Sequence, residues 1–370
     1  MKITDLSVNR FRHQSTNATS SGYAAEIVVV EITTNENSSG LGFVSASPVT
    51  GGFLQDLVEK VLSPLLMGEE TVCTESLWNK MYQAIPRRGV DGLMRQAIAA
   101  VDIALWDLKA QQQQVPLWKL LGGRRDEVPT YANCAHHLPV DELAARAASY
   151  VEAGHRALKI RGTQSFVTLK EATERVIAVR EAVGPDVRLM VDVNGSWDVD
   201  TAIQQLRRWE PYDVYWLEEP VPPHDINGYR RVRQRAGNTY IVGGEQHVGL
   251  LEFQSLIEND CIDIAQPNAA MTGGVTDWLR IHAYATAQGV PVSPWNLQQV
   301  HIHLAAGLEN VQWIEYFMPD NALLEFQEQL LKGSTLQQVV TDEGVCLKPP
   351  IVNGVGIALD ADVAAASLVS

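Results

Sequence analysis

Cysteine is scarce in this 370-residue chain. Cys73, Cys134, Cys261 and Cys346 are far apart, and no two have the spacing of a zinc or redox pair. Scattered single thiols fit a reducing compartment and give no disulfide framework. Positive charge is also in short supply. Lys plus Arg number 29 against 44 Asp plus Glu, a net charge of −15. That balance argues against nucleic acid and anionic membrane as partners. It leaves an anionic small molecule open, because a metal ion or local Lys and Arg can reverse the field inside a cleft. Long apolar runs are missing as well: none is long enough to span a bilayer, and Met1-Lys-Ile-Thr-Asp-Leu6 is not a signal-peptide core. The expectation is a cytoplasmic protein.

Hydrophobic residues make up 46% of the chain, enough for a sizeable core. The length exceeds one average domain and suits a barrel with an added domain. Residues 1–125 read as an α+β domain. Ala25–Ile32 and a run ending near Val44 alternate as strands, and Leu93, Ala97, Ile98, Val101, Leu105 and Leu108 recur at helical spacing. Ser15–Gly22, rich in Ser, Thr and Asn, reads as a loop. From 126 to 325 strand and helix alternate. Strands are expected at 128–134, 157–161, 188–192, 214–218, 240–244, 261–266, 290–294 and 312–316, with helices between them. Such repetition closes most simply into a parallel (β/α)₈ barrel, with a doubly wound open sheet as the alternative. Residues 326–370 are expected to pack back on the first domain.

Asp192, Glu218 and Glu245 end three consecutive strand-like runs at nearly equal steps. Barrel strands converge at their C-terminal ends, where such folds keep their active sites. Three acids gathered there repel one another unless a cation joins them. Oxygen-only ligation favours a hard ion, one Mg²⁺ per subunit, with Mn²⁺ second. Alternation puts Lys159 and Arg161 on one side of the second strand. They are expected to bind a substrate carboxylate, and Lys159 can act as acid or base if its neighbours depress its pKa. Asn194 shares a face with Asp192, and His247 with Glu245, which makes His247 a candidate acid. Glu218 and Glu219 should face opposite ways. His136 and His137 follow the first strand, and one of them could reach substrate; a plain loop pair is the alternative. His301 and His303 read as structural residues of the seventh helix.

Taken together, these segments resemble the enolase superfamily, specifically its mandelate racemase-like subgroup. The residues that carry the likeness are Ala97-Ile-Ala-Ala-Val-Asp-Ile-Ala-Leu-Trp-Asp-Leu-Lys109, Pro116-Leu-Trp-Lys-Leu-Leu-Gly-Gly123, Val191-Asp-Val-Asn194 and Trp216-Leu-Glu-Glu-Pro220. Gly244-Glu245, Gln266-Pro-Asn268, Gly273-Gly-Val-Thr276 and Trp313-Ile-Glu315 complete it. The resemblance implies an α/β fold, a (β/α)₇β modified TIM barrel beneath an α+β capping domain that carries His13 and the 15–22 loop. It implies removal of the proton α to a carboxylate, with Mg²⁺ on Asp192, Glu218 and Glu245 stabilising the enediolate. It also implies a homo-oligomer, a dimer or an octamer.

The departures from the family pattern are specific. The second lysine of the usual Lys-x-Lys motif is Arg161, a poor base and a good carboxylate or leaving-group clamp. The usual His–Asp dyad falls on Trp295 and Asn268, which the resemblance leaves as substrate-wall residues; Glu315, matching a family electrophile or acid, remains. With only Lys159 as an obvious base, mandelate-type racemisation is disfavoured. The leading expectation is an acid-sugar dehydratase, a hydro-lyase giving a 2-keto-3-deoxy acid. A sugar-acid or lactone cycloisomerase or epimerase is the alternative, and a non-catalytic sugar-acid binding protein the third.

Overall fold

The computed structural model describes the chain except residues 14–25, 86, 135–137, 166, 319–320, 322–323, 333–335 and 370, and except the side chains of 87 and 88. The 15–22 loop, His136 and His137 therefore lie outside the described residues. Three antiparallel strands, β1 (Ile3–Arg12), β2 (Glu26–Thr34) and β3 (Ser39–Ala46), form the first sheet in that order. The helix Leu93–Gln112 lies on it, close enough that a Cβ at Gly42 would meet the Ala100 carbonyl oxygen at 1.9 Å. Only glycine permits that approach. The other side of the helix meets the barrel. Asp102 accepts the Thr276 N–H (2.9 Å) and hydroxyl (2.7 Å), and Arg95 pairs with Asp277 at 3.0 Å. Flanked on both sides, the helix is buried nearly all round.

The second sheet closes into a barrel. The parallel strands β4 (Val128–Asn133), β5 (Ala157–Arg161), β6 (Arg188–Asp192), β7 (Val214–Glu218), β8 (Tyr240–Gly243) and β9 (Ile264–Ala265) are neighbours in chain order. β10 (Ile314–Phe317) returns to pair with β4. The seventh position of the ring is a single residue, Val292, bridged to Ala265 and to Val311. A strand over 290–294 cannot form fully because Pro291 and Pro294 have no N–H to donate. Val292 and Ser293, between them, do donate, to Asn310 and Ala265. Seven main helices, Val140–Glu152, Leu169–Val183, Val199–Trp209, Ile226–Arg233, Gly249–Glu258, Val275–Ala287 and Gln298–Gly307, fill the gaps between the eight ring positions.

The C-terminal segment touches both parts. The hairpin β12 (Gln337–Thr341) and β13 (Gly344–Lys348), which follows the short β11 (Leu331–Lys332), adds to β4 of the barrel. The segment meets the first sheet at both ends: Gln327 accepts from the Ser45 hydroxyl at 3.2 Å before the hairpin, and after it Leu368 bridges Phe11 and the Val369 N–H reaches the Arg10 carbonyl. Among the described residues no helix is long and apolar enough to cross a membrane.

Side-chain alternation stacks the barrel interior in layers. Tyr131, Ala157, Met190, Trp216, Val242 and Ile264 form an apolar floor. Two residues further along four of these strands stand Asn133, Lys159, Asp192 and Glu218, all buried. The floor excludes water from below and holds this polar layer at the C-terminal mouth.

Candidate active site

Asp192 and Glu218 are register partners on β6 and β7, and Glu245 follows the end of β8. One carboxylate oxygen from each lies within 4.8 Å of the others. Oε2 of Glu218 and Oε2 of Glu245 have no hydrogen-bond partner among the described residues. Burial, with repulsion from neighbouring acids, pushes the Glu218 carboxyl up to about 8 although Lys159 opposes it, and Glu245 well above its ordinary value. Acids held this close and this dry are stabilised by a bound cation. An all-oxygen donor set with free lone pairs fits a hard divalent ion.

Lys159 is fully enclosed. Its Nζ pairs with Glu218 at 2.7 Å and Glu315 at 2.8 Å, with Asp192 at 3.8 Å. Burial lowers its pKa, but Glu218, Glu315, Tyr131 and Asp192 outweigh burial and hold it well above the ordinary lysine value. The expected depression of Lys159 is therefore reversed among the protein's own groups, because Lys159 faces acids more closely than it faces Arg161. Arg161 is also committed to the acids: Nη1 pairs with Asp192 at 3.1 Å and meets the Asn194 side-chain oxygen. Asn194 has left-handed backbone, φ 47°. Its N–H binds Asp192 Oδ1 at 2.9 Å and its side-chain amide reaches Glu245 Oε1 at 3.3 Å, so it links two of the acids.

Glu315 joins the eighth strand to two others and to the turn at Asn296. Its Oε1 accepts from Asn133 (2.7 Å) and Lys159, and its Oε2 accepts the Asn296 N–H at 3.0 Å. Asn133 was missed in the sequence, although alternation from Tyr131 marks it as inward-facing. On the neighbouring arc the side chains serve the backbone. Asn268 caps the short helix Ala269–Thr272 through the Ala270 N–H at 2.7 Å. Trp295 is buried and precedes two left-handed residues, Asn296 (φ 52°) and Leu297 (φ 49°). His301 ties the two turns together: Nδ1–H donates to the Asn296 carbonyl at 2.5 Å, and Nε2 accepts the Ala269 N–H at 3.1 Å.

His247 does not suit the acid role. Nε2–H donates to the Pro223 carbonyl at 3.0 Å, and burial holds the ring neutral with its pKa lowered to about 4. His13 packs its ring 5.2 Å from Phe326, between the first sheet and the helix Glu325–Leu330. Glu219 departs from simple alternation. Its backbone turns left-handed at φ 46°, and its buried carboxylate accepts from Gln246 Nε2 at 2.7 Å.

A two-part fold with three acids at the barrel mouth defines a class of metal-dependent α/β enzymes. Residues 2–122 match the mandelate racemase/muconate lactonizing enzyme N-terminal domain, and residues 142–363 match the enolase C-terminal domain-like family. The chain belongs to the mandelate racemase subgroup of the enolase superfamily. It is 32% identical over 336 residues to a 3,6-anhydro-α-L-galactonate cycloisomerase of Streptomyces coelicolor, covering 90% of this chain and 89% of that one. It is 34% identical over 309 residues to an L-talarate/galactarate dehydratase of Salmonella typhimurium, covering 83% and 77%. A racemase from Streptomyces coelicolor A3(2), crystallised with bound magnesium, superposes with a TM-score of 0.87 at 30% identity, covering 99% of this chain and all of that one.

Proposed function

We propose that this protein removes the α-proton of a sugar-acid carboxylate and then eliminates the β-hydroxyl as water, leaving a 2-keto-3-deoxy acid. The observation that carries the proposal is the placing of Lys159 against Glu218, one of three acids fitted to a divalent ion. Asp192, Glu218 and Glu245 would hold Mg²⁺, which would supply positive charge to stabilise the negative charge that builds on the substrate carboxylate. To act as a base Lys159 must first give one Nζ proton to bulk water, which the positive charge of Arg161 and of a bound ion would favour against the pull of Glu218 and Glu315. Lys159 Nζ then takes the α-proton as the C–H bond breaks. In a syn elimination the same group returns that proton to the departing β-hydroxyl, so water leaves and the enol tautomerises. Arg161, held against Asp192 and charged at every working pH, faces the substrate carboxylate or the leaving oxygen.

Two ion pairs on Lys159 favour a second reading, in which it is a fixed cation for the substrate carboxylate. Lys159→Arg and Lys159→Met distinguish the two. Loss of turnover in both variants, with Mg²⁺ still bound, supports the base; turnover kept by the arginine supports the fixed cation. The cycloisomerase relative motivates a different outcome after the same first step. Product analysis on a panel of sugar acids and anhydro-sugar acids decides it, since dehydration loses a water and cycloisomerisation conserves mass. Full turnover in Lys159→Met would sink the lysine's role.

A further inference from the structure

Glu219 is a buried acid and costly to keep. One of its oxygens, Oε1, has no partner among the described residues, and it lies in the field of Asp192. A buried carboxylate with an unsatisfied oxygen is a poor choice for packing alone, since an apolar residue of similar size would fill the space at less cost. Its backbone is also in the left-handed region that non-glycine residues avoid. What Glu219 touches gives a reason for both. Its N–H donates to the Val242 carbonyl on β8 at 2.9 Å. Its carbonyl accepts the Gly195 N–H at 2.7 Å, from the turn that follows Asp192. Its carboxylate accepts from Gln246, the residue after Glu245, at 2.7 Å. The residue before it is Glu218.

We infer that Glu219 is a positioning residue that ties the three ligand-bearing segments to one another and so sets the spacing of Asp192, Glu218 and Glu245 for the ion. This inference rests on the metal-site reading above. The left-handed turn is what allows it. In extended backbone the side chain would leave the barrel wall on the outer side; turned, it reaches Gln246 across the mouth-side ends of β7 and β8. Partners of metal ligands typically account for about 10- to 100-fold in affinity, and none of the three ties of Glu219 requires it to bind the ion itself.

Mn²⁺ affinity, read from the electron paramagnetic resonance signal of the free ion, tests this without any substrate. Glu219→Leu should weaken Mn²⁺ binding about 10- to 100-fold. Its metal-free melting temperature should stay level or rise, because a buried acid with an unpartnered oxygen has been removed. Gln246→Ala, at an exposed position that folding tolerates, should weaken binding several-fold. The double variant should bind no more weakly than Glu219→Leu alone, since both changes cut the same tie. Wild-type affinity in either single variant overturns the inference. So do additive losses in the double variant, which would make the two residues independent, and so does a melting temperature that falls in step with affinity, which would make Glu219 structural only. Absence of Mn²⁺ binding by the wild-type protein is seen before any variant is made, and it removes the metal-site reading together with this one.

Discussion

Along β6, β7 and β8 the mouth of the barrel is built from strands that run unbroken to an acid: Asp192, Glu218, and Glu245 just past β8. Around the other arc the wall is one short strand, a single bridging residue at Val292 and a pair of left-handed residues. There the side chains are occupied in holding the chain. Asn268 caps a helix, His301 bridges two turns, and Glu315 fixes the Asn296 N–H. The first arc keeps charge for a ligand, whereas on the second Asn268 and Trp295 lie at the mouth end and the titratable groups, Glu315 and His301, are tied up in holding the chain. A site of this kind has its chemical groups on one side and a largely neutral wall on the other. In the proposed reaction that asymmetry would serve one-sided chemistry at the α-carbon.

Changes in the acid arc should have the largest effect. Asp192→Asn removes a proposed ligand and frees Arg161, and α-proton exchange should fall on the order of a thousandfold, with Mg²⁺ affinity falling too; calorimetry and rate measurement check both. Glu315→Gln tests the junction of the arcs. It loosens the hold on Lys159 and should lower turnover on the order of a hundredfold, while Mg²⁺ affinity stays near wild type. Asn268→Ala should cost about 1 kcal/mol of stability through the lost cap, with metal binding unaffected; a large loss of metal binding there would erase the contrast between the arcs.

The smallest functional effect is expected far from the mouth. Asp102, between the capping helix and the barrel, has its carboxyl pushed by burial from 3.8 up to about 7. Its folded value exceeds its unfolded value. Its stabilising contribution is therefore complete below about pH 4 and is lost as pH rises through about 7. Asp102→Asn should flatten that decline, by a few degrees of melting temperature at most, and leave exchange untouched.

The same contrast explains what could be read from the sequence. Asp192 and Glu218 each stand last in a strand and two residues past an inward apolar residue, Met190 and Trp216, so their convergence followed from spacing even though the β6–β7 register slips at Leu189. The alternation rule failed at Glu219, where a left-handed residue redirects the side chain, and nothing local in Glu218-Glu219-Pro220 signals that turn. The strand expected over 290–294 is one bridge because Pro291 and Pro294 withhold their donors, a feature visible in the sequence. The charge state of Lys159 was not legible, since it depends on Glu218 and Glu315, far off in the chain and brought within 2.8 Å only by barrel closure. His247 was placed beside Glu245 by alternation, but it is held by Pro223, a contact between loops that no periodicity encodes.

The most direct test of the account is proton NMR in D₂O on the protein with Mg²⁺ and a panel of mono- and diacid sugars. The account predicts loss of the α-proton signal, dependent on Mg²⁺, together with a new methylene next to a keto group. Binding of a sugar acid with its α-proton retained for hours would contradict it.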